Sequence, residues 1–395
     1  RARPWELTAR ESIGYHDAMG SNLYLHVRRG EVLRTVPRDN EAVNECWLSD
    51  RDRYSHQGLY AEDRAVEPLI RDGDDFRVAS WEEALAKAAQ ILRDNAGDAL
   101  GVLAHPATSN EEGALLARLA GALGTGNLDH RIGQLDLSDG ATAAAFAMPV
   151  AEIEQAQAIV IVGSNLRHEV PLLHQRVRKA VKNGAKVHVV NPVDFDFAFA
   201  IASRQIVAPS QLAGALAKIE LGDAANVAVI VGAVAENGAH ASAIRKAAAD
   251  FAAARNAKLC RIPQGANALG LSKAGVLPTA RDAQTMLRDP RAAYVIYGIE
   301  PGLDFADQAV AMRALSGART IAFSHYACRS TRVVADVILP IALLPELDAT
   351  LTNLDGKDQR TQAAGKLPGQ ARDGWKVLRA LGGELREHRV AAVGQ

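Results

Sequence analysis

Seven short apolar runs, separated by helical segments, constrain the fold of this chain more than any other feature of its sequence. They are rich in valine and isoleucine, as strands buried on both faces of a parallel sheet are. The runs are 99–104, 158–162, 186–190, 227–231, 293–297, 320–323 and 336–339. Strands of this kind that alternate with helices predict an α/β fold built on doubly wound parallel sheets.

Different patterns precede the first of these strands. Residues Asn22 to Pro37 alternate apolar and polar side chains around Arg29 and Gly30, which predicts a β-hairpin and a small β-rich head. Ser80 is then a predicted helix N-cap, with Glu83 three residues later and Gly97 after the last helical turn. We expect this helix to open the first α/β layer.

The length of 395 residues suggests two to three domains. Segments 158–192 and 293–326 share an apolar strand, a glycine, a polar turn, a helix and a second strand. This pattern indicates two related lobes that face one crevice, or else two ordinary βαβ units. The predicted division is a β-rich head at 1–60, a first α/β lobe at 61–205, a second at 206–345, and a C-terminal extension at 346–395 that packs back on the lobes.

Composition excludes several classes of protein. The 45 basic residues balance the 46 acidic ones, so no basic field favours nucleic acid. No apolar run approaches the ~18 residues of a membrane span, so no direct membrane insertion is expected. The three cysteines lie far apart in the sequence, which predicts neither a disulfide framework nor a local thiolate metal site. The sequence begins at Arg1 without a leader, and we expect a fragment or a processed chain.

One candidate site follows the predicted strand that ends at Val162. Gly163, Ser164 and Asn165 precede a helix there, so their backbone N–H groups are placed to face an anion. Asn191 and Asp194 follow the next strand, where an acidic residue meets a ribose in many α/β nucleotide sites. The alternatives are a turn that needs glycine only for its backbone and a capping role for Asp194.

Other catalytic and metal motifs are missing from the sequence. It contains no GxxxxGK[ST] phosphate loop, no GxSxG nucleophile turn and no HExxH helix. We therefore predict no catalytic residue and no metal ligand in this chain.

Five segments match, in the same order, stretches of one known family. They are ESIGYHDAMGSNLYLHVRRGEVLRTVPRDNEAVNECWLSDRDRY, GTGNLDHRIG, IVIVGSNLRHEVPLLHQRVRKAVKNGAKVHVVNP, ADVILPIALLPELDATLTNLDGKDQR and ARDGWKVLRAL. Together they resemble the molybdopterin-oxidoreductase-type region of the large peripheral-arm iron–sulfur subunit of respiratory complex I, the NADH:quinone oxidoreductase. The resemblance runs from about Arg3 to Leu385 and implies a small β-rich head plus two doubly wound lobes, lacking the family's final β-barrel domain.

The resemblance also bears on cofactors. Related enzymes hold a [4Fe–4S] cluster on four cysteines near the hairpin, and those positions fall here on Gly14, Asp17, Ser21 and Ser49. Because none of these is a thiol, we expect no cofactor in this chain and place the family's [2Fe–2S] and [4Fe–4S] clusters in an upstream part. Cys46 beside Trp47 is expected to be a small buried side chain.

A second comparison with the family concerns its pterin site. Gly163, Ser164, Asn165, Asn191 and Asp194 match the places where distant relatives cradle a bis(molybdopterin guanine dinucleotide). In the segment NLDGKDQR, Asp355 and Lys357 replace the family's glutamate and arginine. The resemblance thus implies a retained fold with a vestigial nucleotide or pterin cleft.

The function implied is that of a non-redox scaffold lobe of complex I, which contributes to NADH-to-quinone electron transfer only within the complex. Its expected partners are other peripheral-arm subunits and the upstream cluster-bearing domain. Its expected location is peripheral, on the cytoplasmic side of the bacterial inner membrane or the mitochondrial matrix side. Two alternatives remain open: a molybdopterin-dependent oxidoreductase similar to formate dehydrogenase, and a nucleotide-binding sensor.

Overall fold

A computed structural model describes the backbone of residues 2–393 and the side chains of residues 2–386. The strands of this part, in chain order, are β1 (Thr8–Ile13), β2 (Asn22–Arg28), β3 (Glu31–Pro37), β4 (Leu69–Asp72), β5 (Asp75–Val78), β6 (Leu100–Ala104), β7 (Leu128–Asp129), β8 (Ala158–Val162), β9 (Lys186–Asn191), β10 (Ser203–Ile206), β11 (Val227–Val231), β12 (Lys258–Arg261), β13 (Ala293–Tyr297), β14 (Arg319–Ser324), β15 (Val337–Pro340), β16 (Ala349–Thr352) and β17 (Asp358–Thr361). The α-helices are α1 (Asp50–Tyr54), α2 (Trp81–Asp94), α3 (Asn110–Ala122), α4 (Leu166–Glu169), α5 (Pro171–Lys182), α6 (Leu212–Leu216), α7 (Ala233–Glu236), α8 (Ala241–Ala254), α9 (Ala268–Lys273), α10 (Ala283–Arg288), α11 (Gln308–Ser316), α12 (Arg329–Val334) and α13 (Gly374–Val393).

All seven strands predicted from apolar runs are present, each within one residue of its predicted ends. Strands β6, β8, β11 and β13 are buried along their whole length, which is why their sequences are continuous apolar runs. The predicted α/β fold is confirmed.

The larger sheet has seven strands in the order β5-β4-β15-β14-β13-β6-β7. Strands β15, β14, β13, β6 and β7 run parallel, whereas β4 and β5 add an antiparallel edge. Apolar side chains of α2, α3 and α13 cover one face, and those of α10 and α11 cover the other. Both faces are therefore removed from water.

The smaller sheet has five parallel strands in the order β10-β9-β8-β11-β12. Helix α5 covers one of its faces, and α6 and α8 cover the other. Each sheet thus forms a doubly wound lobe with its own core.

The two lobes are not consecutive in the sequence. The five-stranded sheet uses residues 158–261, and this segment lies between the two parts that form the seven-stranded sheet. The predicted boundary between residues 205 and 206 falls inside β10. Strand β12 is absent from the seven predicted strands, but it pairs with β11 and completes the five-stranded sheet.

The N-terminal head is an antiparallel sheet of β1, β2 and β3. Its predicted hairpin is present, and Arg29 (φ 54°) and Gly30 (φ 84°) take the positive φ angles that a tight turn requires.

Ser80 caps α2 as predicted, because its side chain accepts a hydrogen bond from the backbone N–H of Glu83. Among the described residues, no helix combines the length and apolar character that crossing a bilayer requires.

Candidate functional site

The predicted cleft lies at the carboxyl edge of the five-stranded sheet. From β8 the chain passes to β9 on one side, and from β11 it passes to β12 on the other, so a crevice opens between the ends of β8 and β11. Ligands of doubly wound sheets bind at such a switch of direction. Gly163 follows β8 there, and Gly232 follows β11.

Gly163 packs tightly against the chain that follows β11. Its φ of 54° is a left-handed conformation that favours glycine. A Cβ atom added to it would lie 2.5 Å from the Cβ of Ala235 and 2.7 Å from the backbone nitrogen of Ala235. The glycine therefore allows the two strand ends to meet and leaves little room between them.

Ser164 and Asn191 bind one another across the ends of β8 and β9. The backbone N–H of Ser164 donates to Asn191 Oδ1 at 2.7 Å, and Asn191 Nδ2 donates to the carbonyl of Ser164 at 3.0 Å. Both residues are fully buried. The amide side chain thus uses its donor and its acceptor within the protein.

A residue that the sequence analysis missed, Glu169, fills the crevice. Its Oε2 accepts a hydrogen bond from Ser164 Oγ at 2.6 Å, and its Oε1 accepts one from the backbone N–H of Ala233 at 2.7 Å. Loss of surrounding water raises the pKa of Glu169. Its carboxylate oxygens accept hydrogen bonds that these donors would otherwise be free to make to an external anion.

The other two predicted residues lie outside this hydrogen-bonded group. Asn165 immediately precedes α4, and its side chain makes no capping hydrogen bond. Asp194 is exposed and forms an ion pair with Arg204 at the surface. The structure therefore brings Gly163, Ser164 and Asn191 together and leaves Asp194 apart from them.

A second crevice, which the sequence did not reveal, lies at the carboxyl edge of the seven-stranded sheet. The chain leaves β13 toward β14 on one side and β6 toward β7 on the other. His105 follows β6, Gly298 follows β13, and His325 follows β14. These ends border a cavity of about 310 Å³, which we call the β6–β13 cavity; its lining is Tyr15, His16, Ser55, Gly58, His105, Ala107, Thr108, Ser109, Glu112, Tyr297, Gly298, Glu300, Asp304, His325, Tyr326, Ala342, Leu343, Leu344 and Leu347.

At this cavity the N-terminus of α3 is satisfied from within the chain. Glu112 Oε2 accepts hydrogen bonds from the backbone N–H of Ser109 at 3.3 Å and from its Oγ at 2.7 Å. Glu112 Oε1 accepts a hydrogen bond from Tyr297 Oη at 2.7 Å. Three donors thus hold the carboxyl group of Glu112. Burial raises the pKa of this group.

The histidines and tyrosines of the cavity are neutral near pH 7. Burial lowers the pKa of His325 to about 3, and burial also lowers the pKa of His105. Burial raises the pKa of Tyr326 to about 12. The formal charge of this crevice therefore comes from its carboxylates.

The four positions aligned with cluster cysteines lie in the head. A Cβ atom added to Gly14 would lie 2.7 Å from Asp52 Oδ1, and Ser49 Oγ donates to Asp52 Oδ2 at 3.0 Å. Asp17 accepts a hydrogen bond from Arg51 Nη2 at 3.1 Å, and the Oγ of Ser21 is buried without a hydrogen-bond partner in the described residues. Asp52 thus fills the space beside Gly14.

Comparison with known families gives two matches. The family profile described as molybdopterin oxidoreductase matches residues 64–384. The profile described as NADH-ubiquinone oxidoreductase NDSU1/NuoG-like, 4Fe-4S domain, matches residues 7–57. The first covers both α/β lobes, and the second covers the head.

Similar curated proteins are subunits of one respiratory enzyme. The mitochondrial 78 kDa subunit of NADH-ubiquinone oxidoreductase from Candida albicans is 32% identical over 391 residues, covering 96% of this chain and 53% of that protein. The corresponding Neurospora crassa subunit is 31% identical over 400 residues, with 96% of this chain and 52% of that protein covered. The chain therefore spans about half the length of the curated relatives it matches.

Similar solved structures support the fold alone. Acetylene hydratase from Pelobacter acetylenicus superposes with a TM-score of 0.72 at 12% identity, covering 95% of this chain and 69% of that one. A formyltransferase/hydrolase complex chain from Methylorubrum extorquens gives a TM-score of 0.57 at 16% identity, covering 82% of this chain and 99% of that one.

The prediction that this chain holds no cofactor is wrong, because its head matches a 4Fe-4S domain profile and a 30% identical relative from Solanum tuberosum is named as an iron-sulfur protein of NADH dehydrogenase. We tested whether the head's own residues fit a cluster. Cys46 is the one cysteine in residues 7–57, and it is exposed, not buried as predicted. In the described residues, no group of three or more His, Cys, Asp or Glu is placed to hold a metal. The side chains present do not supply the thiolates that a [4Fe–4S] cluster requires, and we derive no step through one.

The fold, the order of the matched segments and the profile that spans both lobes agree. This chain belongs to the molybdopterin oxidoreductase family, and a segment that matches a NuoG-like 4Fe-4S domain precedes the molybdopterin oxidoreductase region.

Proposed function

We propose that this chain is a structural lobe of the large peripheral-arm subunit of an NADH–quinone oxidoreductase. In this role it supports electron transfer from NADH to quinone as part of the complex and carries no redox step of its own. Its partners are the other peripheral-arm subunits and the cluster-bearing part of the same subunit. Its place is on the cytoplasmic face of a bacterial inner membrane or the matrix face of the mitochondrial one.

The observation that carries this proposal is the filling of the cleft by Glu169. A dinucleotide pyrophosphate needs free backbone N–H groups at the carboxyl edge of the sheet. Here Glu169 accepts the hydrogen bonds of Ser164 Oγ and of the Ala233 N–H. We interpret Gly163, Ser164, Asn165, Asn191 and Asp194 as the remains of a nucleotide or pterin cleft whose fold is kept for packing.

The second crevice supports the same interpretation. Glu112 forms a capping box with Ser109 at the N-terminus of α3, where an anion would otherwise be attracted. Both lobes thus place a glutamate of their own at an anion position. Such an arrangement favours a scaffold over an enzyme that binds an anionic cofactor.

The test is made in the assembled complex. Glu169→Ala removes the acceptor of two hydrogen bonds and leaves the Ala233 N–H unsatisfied, which destabilises the lobe by about 1–3 kcal/mol. We expect less assembled complex, measured on native gels, but unchanged NADH–quinone turnover per assembled complex. The control is Glu220→Gln, at an exposed position of the same lobe, which should leave both quantities unchanged. A normal amount of complex with reduced turnover would refute the structural role.

A further inference from the structure

We infer that the β6–β13 cavity binds a small amphipathic organic cation, an ammonium group attached to a short apolar body. This inference does not depend on the proposed structural function, since a scaffold lobe can carry a ligand site or lack one. It rests on the position, charge and lining of the cavity.

The cavity has the position and size of a ligand pocket. It lies where the chain direction switches between β6 and β13, the usual place for ligands of doubly wound sheets. Its volume of about 310 Å³ falls at the lower end of the range of ~300–1,000 Å³ that is typical of small-molecule sites. Tyr15 and Gly58 of the N-terminal part also line it.

The charged groups of the cavity are acidic. Glu300 and Asp304, both partly buried, lie in the loop after β13, and no lysine or arginine belongs to the lining found among the described residues. Burial and the nearby carboxylates of Asp304 and Asp63 raise the pKa of Glu300. A bound cation would relieve the repulsion between these carboxylates.

These carboxylates also have free acceptor capacity. Asp304 Oδ2 accepts a hydrogen bond from the backbone N–H of Glu300 at 2.7 Å, whereas Asp304 Oδ1 lies 4.0 Å from His105 Nε2, beyond hydrogen-bond distance. The carboxylate of Glu300 accepts no hydrogen bond from any residue that the structure describes. An ammonium group has three N–H donors, which suit acceptors of this kind.

The lining also has an apolar part. Leu343, Leu344 and Leu347 form it, and the ring of Tyr326 borders the same space. An apolar body packed there would be removed from water, and an aromatic face attracts a cation. A ligand that matches both parts of the lining carries a cationic group and an apolar body.

Two other ligand classes fit less well. An anion finds no cationic side chain in the lining that the described residues form, and the Glu112 carboxylate already lies at the N-terminus of α3. A metal ion needs several ligands at bonding distance, and the described residues contain no group of three or more His, Cys, Asp or Glu arranged for one. The organic cation remains the class with complementary charge and shape.

The test compares 2-phenylethylamine with 2-phenylethanol, which has a similar size but no charge. Isothermal titration of this chain near neutral pH should show the amine binding at one site and the alcohol binding at least about tenfold more weakly. Equal binding of the two compounds, or no binding of the amine, would overturn the inference. This comparison uses the unaltered chain and so does not depend on the folding of any variant.

Variants then assign the site. Glu300→Gln and Asp304→Asn should each weaken amine binding about tenfold, while Glu220→Gln, remote from the cavity, should not change it. Amine binding that is unaffected by both cavity variants would place the ligand elsewhere and overturn the assignment. Tighter binding of Zn²⁺ than of the amine, lost in the same variants, would show that the cavity is a metal site.

Discussion

Asp52 is a buried carboxyl group of the head whose proton should make stability depend on pH. It accepts a hydrogen bond from Ser49 Oγ and lies near Asp17. Burial, and after it the charge of Asp17, raise the pKa of Asp52 to about 7, against about 3.9 in an unfolded chain. The folded protein therefore binds this proton more tightly than the unfolded chain does.

The sign of the effect follows from this difference. The stability that Asp52 contributes is fully present below a pH of about 4 and is lost as the pH rises through about 7. The lowered pKa values of His174 and His325 act in the opposite direction, because those histidines bind protons more tightly when unfolded. A comparison with Asp52→Asn separates the contribution of Asp52.

We predict that the free energy of unfolding of the wild type, minus that of Asp52→Asn, falls with pH between about 4 and 7. Because a single proton is involved, the steepest slope of this difference against pH is about 1.4 kcal/mol per pH unit. Urea denaturation at several pH values measures it. A difference that stays constant, or that rises with pH, would contradict the assigned pKa shift.

At the scale of elements, the turn after β8 holds the two halves of the five-stranded sheet together. Gly163→Ala should destabilise the protein for two reasons, the left-handed backbone and the contact with Ala235. Gly222→Ala is a matched control, since Gly222 has a φ of 58° and no atom within 4 Å of an added Cβ. The control measures the backbone cost alone, about 1–2 kcal/mol.

We expect Gly163→Ala to cost about 1–3 kcal/mol more than Gly222→Ala, because the added methyl group meets a backbone nitrogen that cannot move freely. Thermal or urea unfolding of the two variants side by side measures this difference. Equal destabilisation would mean that the turn has room for a side chain, and the cleft would then be more open than its hydrogen bonds indicate.

The parallel strands that the sequence predicted are those whose burial is complete or nearly so. Val227–Val231 is an unbroken apolar run and was located to the residue. In contrast, β12 is four residues long, with exposed Lys258 at its start and only Cys260 fully buried, so its sequence has no apolar run to detect. An edge strand of this kind is fixed by pairing with β11, which sequence patterns do not show.

The site was predictable in part for a similar reason. Gly163 and Ser164 were located because glycine at a strand end is a local signal. The role of Glu169 depends on a hydrogen bond from Ala233, 64 residues later, and no local sequence pattern indicates that contact. Ser109 and Glu112 have the S-x-x-E spacing of a capping box, a local signal that the sequence analysis did not use, and the structure contains the box.

At the scale of the whole molecule, one buried ion pair joins the segment after the head to the segment before β16. Arg64 Nη2 donates to Glu346 Oε2 at 2.8 Å, and Nη1 donates to Oε1 at 3.1 Å. Both side chains are buried, with exposed fractions of 3% and 2%. Arg64→Ala leaves the Glu346 carboxylate buried without its partner, which should cost about 3–5 kcal/mol.

Equilibrium unfolding of Arg64→Ala tests this prediction. The double variant Arg64→Met with Glu346→Leu is the control, because it removes both charges and should recover most of the lost stability. A loss below about 1 kcal/mol in Arg64→Ala would mean that the pair is solvated like an ordinary surface pair and does not tie the two segments together.

If this chain functions by docking within a peripheral arm, it should bind the rest of that arm with measurable affinity. The measurement is sedimentation velocity of the chain mixed with peripheral-arm subunits of a relative that lack this lobe. We expect a complex with a Kd of about 1 µM or tighter, which corresponds to about −8 kcal/mol. No association at concentrations about a hundredfold higher would contradict the account.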